Sequence, residues 1–347
     1  VKSRILKLDA VRGVAALMVV IGHCGGATIY GLTENPCFWW LSCVGDGASA
    51  VVMFFLLSGF VLALQLDGPN RPSYRGFLVR RFLRIWPAFA LTLVLSLVAL
   101  RWSGTLVDSG QPKVPPAMPG YPELLQNLLM VGSPYTVDPP VWSLYVEARL
   151  SVIFPLLLLL ARRFSMGGAI LASMLISLPL IRLVHSDLPD FFISLAEASR
   201  YMVLFVIGAC LAKSENPVAV LLYGRLSRAA KVALLALAIA CIVYQFCPFA
   251  PSLPGLGYLN WLGVVLLFVF CLYSKLAEGW LNRRPLLFLG KVSYGVYLVH
   301  YPLMLLLKQH VSSTWLTAVV LGLSIAAGWA INRWVEQPAI ALGRRLH

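Results

Sequence analysis

The sequence predicts an all-α polytopic membrane protein, a bundle of about ten transmembrane helices with both termini in the cytoplasm. Three observations predict it. First, 59% of the 347 residues are hydrophobic and only 12% are charged, about half the charge of an ordinary soluble domain. A surface that poor in charge cannot be solvated by water, so a soluble protein is excluded, and a mean hydropathy of +0.81 excludes a disordered one. Second, the apolar residues gather into ten runs, each close to the roughly 20 residues needed to cross the hydrocarbon core. Third, 22 of the 28 Lys and Arg residues fall on one side of the alternation. Arg101, Lys113, Arg182, Arg200 and Lys308 fall on the other, and Arg149 lies inside the fourth run. The positive-inside rule therefore puts both chain ends in the cytoplasm. The net charge of +14 is then a topological signal and not the footprint of a nucleic-acid partner.

In order, the runs cover 10–30, 44–66, 84–101, 142–161, 168–184, 199–212, 230–246, 258–274, 287–307 and 315–335. The first is too long for a signal-peptide core and lacks a small-residue cleavage site, so no cleavable leader is expected. The fifth and sixth are the weakest, and the sixth is short. The connection over 102–140 is expected on the outer face, where its many prolines disfavour regular structure. Within it, Tyr121–Val131 places Leu124, Leu125, Leu128 and Leu129 on one side, which predicts a short interfacial helix. The lining of a site and a passive tether both fit a loop this long. No repeat interrupts the pattern, and a single domain over 1–347 with no appended soluble domain is expected. The seven cysteines follow no metal spacing. Cys24, Cys210, Cys241 and Cys271 lie in apolar runs, while Cys37 and Cys43 share a short loop and can pair if it faces an oxidising compartment.

Ionisable groups inside a membrane span are costly, so those present are functional candidates. His23 and His300 lie well inside apolar runs, and Glu147 and Arg149 join them from the fourth. Arg12 and His23 are eleven residues apart, which brings them within about 20° of one helical face with a rise of about 16 Å. Asp9 lies near the same face. A polar stripe thus runs from the cytoplasmic mouth past mid-membrane. The alternative is that Arg12 snorkels and His23 bonds a neighbouring carbonyl. His300 is about 18 Å from the cytoplasmic end of its run and Glu147 about 9 Å below the outer surface, so both histidines and the carboxylate share a level in the outer half. Imidazole beside carboxylate suits a general base, but buried proton relays use the same groups. These residues leave an enzyme and a proton-coupled transporter or exporter open.

Arg80, Arg81 and Arg84 precede the third run, and Arg81 and Arg84 share a face. Guanidinium pairs hold phosphates bidentately; plain topological anchoring is the competing reading. Ser58-Gly59 permits close backbone approach. Tyr294, Tyr297 and Tyr301 run along one side of the ninth span beside His300, with Lys291 at its cytoplasmic end, forming either an aromatic seam or, as the convergence favours, a lined polar passage. Metal-ligand spacing, a Gly-rich phosphate loop and a nucleophilic-serine motif are all missing, so metal catalysis and covalent serine chemistry are not expected.

Six segments in this order resemble the acyltransferase 3 family of integral membrane acyltransferases, nearly end to end. They are Leu8-Asp9-Ala10-Val11-Arg12-Gly13 followed by His23; Phe55 to Phe60; Arg80 to Pro87; Trp142-Ser143-Leu144-Tyr145-Val146-Glu147; Ser293 to Pro302; and Glu336-Gln337-Pro338. One departure stands out: after Glu147 the family often has a second acidic residue, where this chain has Ala148-Arg149. The resemblance implies O-acylation, most often O-acetylation, of a cell-envelope glycan such as lipopolysaccharide O-antigen or exopolysaccharide. It implies acetyl-CoA as the cytoplasmic donor, no metal, and a multi-pass place in the bacterial inner membrane among proteins of glycan assembly. It implies His23 as base, Glu147 orienting it and His300 or a tyrosine facing the oxyanion. Arg12, Arg80, Arg81, Arg84 and Lys291 are implied at the donor, and Asp9, Ser58, Trp142, Ser143, Arg149, Tyr297 and Tyr301 along the substrate path. Some relatives carry an SGNH-type hydrolase domain; here the chain ends about ten residues after its last run, so transfer is expected in the membrane domain or on a separate partner.

Overall fold

The computed structural model describes residues 2–25, 39–68, 71–103, 119–131, 137–182, 190–213, 226–247 and 258–346. These are all-helical. In chain order the helices are α1 Lys2–Cys24, α2 Gly47–Asp67, α3 Tyr74–Ser103, α4 Tyr121–Leu128, α5 Trp142–Arg163, α6 Met166–Ile181 and α7 Asp190–Arg200. There follow α8 Met202–Leu211, α9 Arg228–Val243, α10 Leu259–Tyr273, α11 Lys275–Leu281, α12 Arg284–Leu307, α13 Ser313–Ile331 and α14 Gln337–Arg345. Among the described residues, five helical stretches are long and apolar enough to cross a membrane, or up to seven if the bent pairs α7/α8 and α10/α11 each count as one. The chain is therefore a polytopic membrane protein. The ten expected spans reduce to these by length and composition. Helices α1 and α12 have 23 and 24 residues but carry charged and polar side chains, and α6 has only 16 residues.

Two compact units divide the chain. Unit 1 comprises Val1–Leu57, Lys213–Tyr297 and Val311–Gly328. Its α1 starts eight residues before the first apolar run, because the helix continues through the charged turn that the hydropathy window omits. The described helix ends at Cys24, so His23 occupies its last turn. The end of the expected first run, together with Cys37, lies outside the described residues. Gly13 and Gly290 let α1 and α12 touch: a Cβ on Gly290 would collide with the Asp9 carbonyl, and one on Gly13 with the Gly290 backbone. Small residues at such crossings are how membrane helices gain contact where lipid is as apolar as leucine. Lys7, almost fully buried, reaches Glu278 of α11 at 3.3 Å, across the 84° bend between α10 and α11. Asp46 caps α2 by accepting from the Ser49 amide at 3.1 Å. Its second oxygen accepts from Gln245, whose own oxygen accepts from Asn260 of α10.

Unit 2 comprises Ser58–Ala212, Leu298–His310 and Trp329–His347. Its longest helix, α3, has 30 residues, or about 45 Å at 1.5 Å per residue. It starts ten residues before the apolar run that marked the third span, so Arg80, Arg81 and Arg84 lie within a continuous helix and not at its mouth. At the far end of α5, Arg162 pairs with Asp67 at the end of α2. Gly59 of α2 lies against the Phe205 carbonyl of α8, where any side chain would collide.

The short helix expected over Tyr121–Val131 forms as α4 over Tyr121–Leu128, with Leu125 and Leu129 exposed and Asn127 buried. It ends in a Schellman turn: the Val131 amide donates to Gln126 O and the Met130 amide to Asn127 O, both at 3.0 Å. Met130 has a left-handed φ of 58°, in the position that glycine usually takes. The end of α4 is held from both neighbouring helices. Trp86 of α3 donates to Leu128 O at 3.1 Å, Tyr145 of α5 to Asn127 O at 2.9 Å, and Arg149 to Met130 O at 3.1 Å.

One residue before the span that contains α5, Asp138 is buried, and the Ser96 hydroxyl lies 2.8 Å from its Oδ2. Ser96 also lies 3.0 Å from the Thr92 carbonyl, and Asp138 Oδ1 has no hydrogen-bond partner among the described residues. Burial raises the carboxyl from its ordinary 3.8 to about 7, against the lowering effect of Ser96. The folded form thus holds this proton more tightly than the unfolded chain. The stability it contributes is full at acid pH and is lost as pH rises through about 7. Asp138→Asn, which keeps a donor without titrating, is expected to lessen the fall in melting temperature of the detergent-solubilised protein between about pH 5 and about pH 8. An unchanged pH dependence in that variant contradicts the assignment.

Candidate active site

In unit 2, three helices deliver polar side chains to one place. Glu147 of α5 accepts from the Ser58 hydroxyl of α2 at 2.6 Å and forms an ion pair with the Arg81 guanidinium of α3. Arg81 Nε donates to Ser151 at 3.0 Å, and the Ser151 hydroxyl donates back to the Glu147 carbonyl at 2.6 Å. Local sequence explains the convergence. Glu147 and Ser151 are four apart and share a face of α5, while Ser58 directly precedes the Gly59 contact that draws α2 against α8. Only 12% of the Arg81 side chain and 23% of that of Glu147 are exposed, so each charge depends on the other for compensation. Arg81 was expected with the donor group and Glu147 with the histidine; the structure joins them to each other.

In unit 1, the exposed His23 imidazole hydrogen-bonds the Val19 carbonyl one turn back on α1. Since the carbonyl only accepts, the bonded ring nitrogen carries the proton, and in the neutral ring the other nitrogen carries the lone pair. Within unit 1 a backbone carbonyl is thus placed to favour one tautomer. Arg12 pairs with Asp9 at 3.2 Å. Lys291 is exposed, and Tyr297 meets Phe54 edge-on with ring centroids 5.7 Å apart.

The remaining expected site residues belong to unit 2. His300 is fully buried and Tyr301 and Ser143 nearly so. Arg84 is exposed, and Arg80 packs beside Gly343 of α14. Trp142 lies against Tyr201, with centroids 5.4 Å apart. Arg149 partners backbone, donating to Ser194 O at 2.8 Å as well as to Met130 O, with Tyr145 beneath it at 5.7 Å. Sequence reasoning missed Ser151 and Val19, although each stands four residues from a residue it had singled out. Among the described residues no cluster of His, Cys, Asp and Glu could hold a metal ion.

A family model describing an acyltransferase domain, that of acyltransferase 3, matches residues 5–333. The chain belongs to the acyltransferase 3 family. It is 30% identical over 170 residues to protein 2 in the picA locus of Rhizobium radiobacter, a match covering 44% of this chain and 81% of the relative. It is 33% identical over 128 residues to the acyltransferase MdmB of Streptomyces mycarofaciens, covering 34% of this chain and 30% of that one. No solved structure matches. Of the two classes that the buried residues left open, the family is the enzyme. This acyltransferase requires an acyl donor and an acceptor, and it works in a bilayer.

Leaving one charge of the Arg81–Glu147 pair alone in this setting is expected to cost about 3–5 kcal/mol. Arg81→Gln and Glu147→Gln should each destabilise by that order in reversible unfolding from detergent. The double variant should lose clearly less than the two single losses together. Additive losses would show that the two side chains do not depend on each other.

Proposed function

We propose that this acyltransferase moves an acetyl group from cytoplasmic acetyl-CoA to a hydroxyl of a cell-envelope glycan, with His23 as general base. The observation that carries this reading is the family of the chain together with the place of His23 in the last turn of α1, bonded to the Val19 carbonyl. A carbonyl only accepts, so the bonded ring nitrogen carries the proton, an arrangement suited to proton transfer at the other. His23 takes the proton of the acceptor hydroxyl as the oxygen attacks the thioester carbonyl. The new C–O bond forms, the C–S bond breaks, and the imidazolium returns its proton to the CoA thiolate. A tyrosine hydroxyl is the candidate for stabilising the oxyanion.

Supporting the donor half is the exposure of Arg84 on α3 and of Lys291 on α12, both suited to phosphate. Arg81, engaged by Glu147, is here a positioning residue for α2, α3 and α5. The distribution of basic residues supports cytoplasmic chain ends, and the family likeness supports an inner-membrane setting with the glycan on the outer face.

His23→Ala is expected to lower transfer of labelled acetyl from acetyl-CoA to envelope polysaccharide by about a hundredfold or more, with the melting temperature unchanged. Transfer near the wild-type rate removes His23 from the chemistry. Arg84→Ala is expected to raise the KM for acetyl-CoA while kcat changes little. An unchanged KM would make Arg84 a topological anchor.

A further inference from the structure

A cavity of about 130 Å³ opens in unit 2, lined by Trp142 and Val146 of α5, Glu197 and Arg200 of α7, and Tyr201. A cavity of about 150 Å³ admits benzene, so this one is on the order of a single six-membered ring. Its walls are tied together. Tyr201 sits at the 40° break between α7 and α8, and the bend carries its ring to within 5.4 Å of that of Trp142. Arg149 binds the Ser194 carbonyl at 2.8 Å and so fastens α7 to α5, the two helices that line the cavity. Trp142 is the first residue of α5, and Arg162 and Arg163 are its last basic residues. The cavity therefore opens at the end of the helix opposite its cationic flank.

From this arrangement we infer that the Trp142–Tyr201–Glu197–Arg200 cavity is a monosaccharide subsite, holding one ring of the acceptor glycan. The inference rests on the proposed glycan acceptor and assigns part of it to named residues. The chemistry is that of a sugar, which has an apolar C–H face and a rim of hydroxyls that donate and accept. Trp142 and Tyr201 offer electron-rich ring faces to the first. Glu197 accepts and Arg200 donates to the second, and the two stand three apart on one side of α7. Aromatic residues at a membrane interface are ordinarily an anchoring belt. A belt requires neither a cavity nor a carboxylate and guanidinium lining it. Along α5, Trp142 lies five residues before Glu147, a rise of about 7.5 Å. The subsite thus grips a ring near the Arg81–Glu147 level but on another face of the helix, so Glu147 is not one of its ligands.

The test is a titration of the full chain in detergent with the methyl glycosides of glucose, galactose, rhamnose and N-acetylglucosamine, followed by tryptophan fluorescence. At least one glycoside should quench wild type saturably, and the quench should vanish in Trp142→Phe. Glu197→Gln and Arg200→Gln should weaken it roughly tenfold or more, the loss expected for a hydrogen bond to a charged group. No saturable response to any of the four, or one unmoved by these variants, overturns the assignment. Acetyl transfer in the same preparations separates it from its parent reading. Wild-type transfer with an unchanged acceptor KM in Glu197→Gln and Arg200→Gln overturns the subsite and leaves acetyl transfer standing. No His23-dependent transfer in wild type overturns the acetyl-transfer reading and the subsite with it.

Discussion

A guanidinium and a carboxylate that meet between apolar helices set the register of unit 2. Arg81 and Glu147 are each too enclosed to be solvated alone, so α3 and α5 are held in the register that brings them together. Ser58 adds α2 to the same point. The Asp67–Arg162 pair ties α2 to α5 a second time, nearer their other ends. Two fastenings at different depths fix a pair of helices against sliding in a way that apolar packing in lipid does not, since the solvent there is itself apolar. The Gly59 contact with α8 then determines how closely the next layer approaches.

Arginine serves unit 2 in two chemically distinct ways. Arg81 neutralises a carboxylate, while Arg149 donates to two backbone carbonyls, that of Ser194 within α7 and that of the left-handed Met130. The second use explains how a short helix with a Schellman turn persists beside long spans. A helix terminus away from water needs donors for its last carbonyls, and Trp86, Tyr145 and Arg149 supply three. Arg149 is part of the expected pattern's departure after Glu147, and that departure coincides with the α4 anchorage.

The sequence was most legible where its signal was local. Apolar run length gave a helix at each expected position, periodicity gave α4, and ordered short segments gave the family. Failures share one physical source. A hydropathy window marks where lipid begins and not where the helix does, so α3 and α1 extend past their windows by ten and eight residues. Arg81 therefore looked like a flank residue and proved to be internal. Its pairing with Glu147, 66 positions away, leaves no trace in periodicity. The role of Val19 was legible in principle, because a side chain near a helix end has the carbonyl four residues back within reach. Glu197, Arg200 and Tyr201 were obscured because they lie just before and at the start of one of the two weakest expected spans, and the break at Tyr201 brings them to Trp142.

The central claim is that Glu147 is the ionised partner of Arg81 and not a proton-carrying acid. Isotope-edited infrared difference spectra of wild type against Glu147→Gln, recorded on the protein in lipid near neutral pH, read this directly. The account predicts that the signal lost in the variant is that of a carboxylate stretch, shifting in Arg81→Gln. A protonated carboxyl stretch in the wild-type protein, insensitive to Arg81, would contradict it.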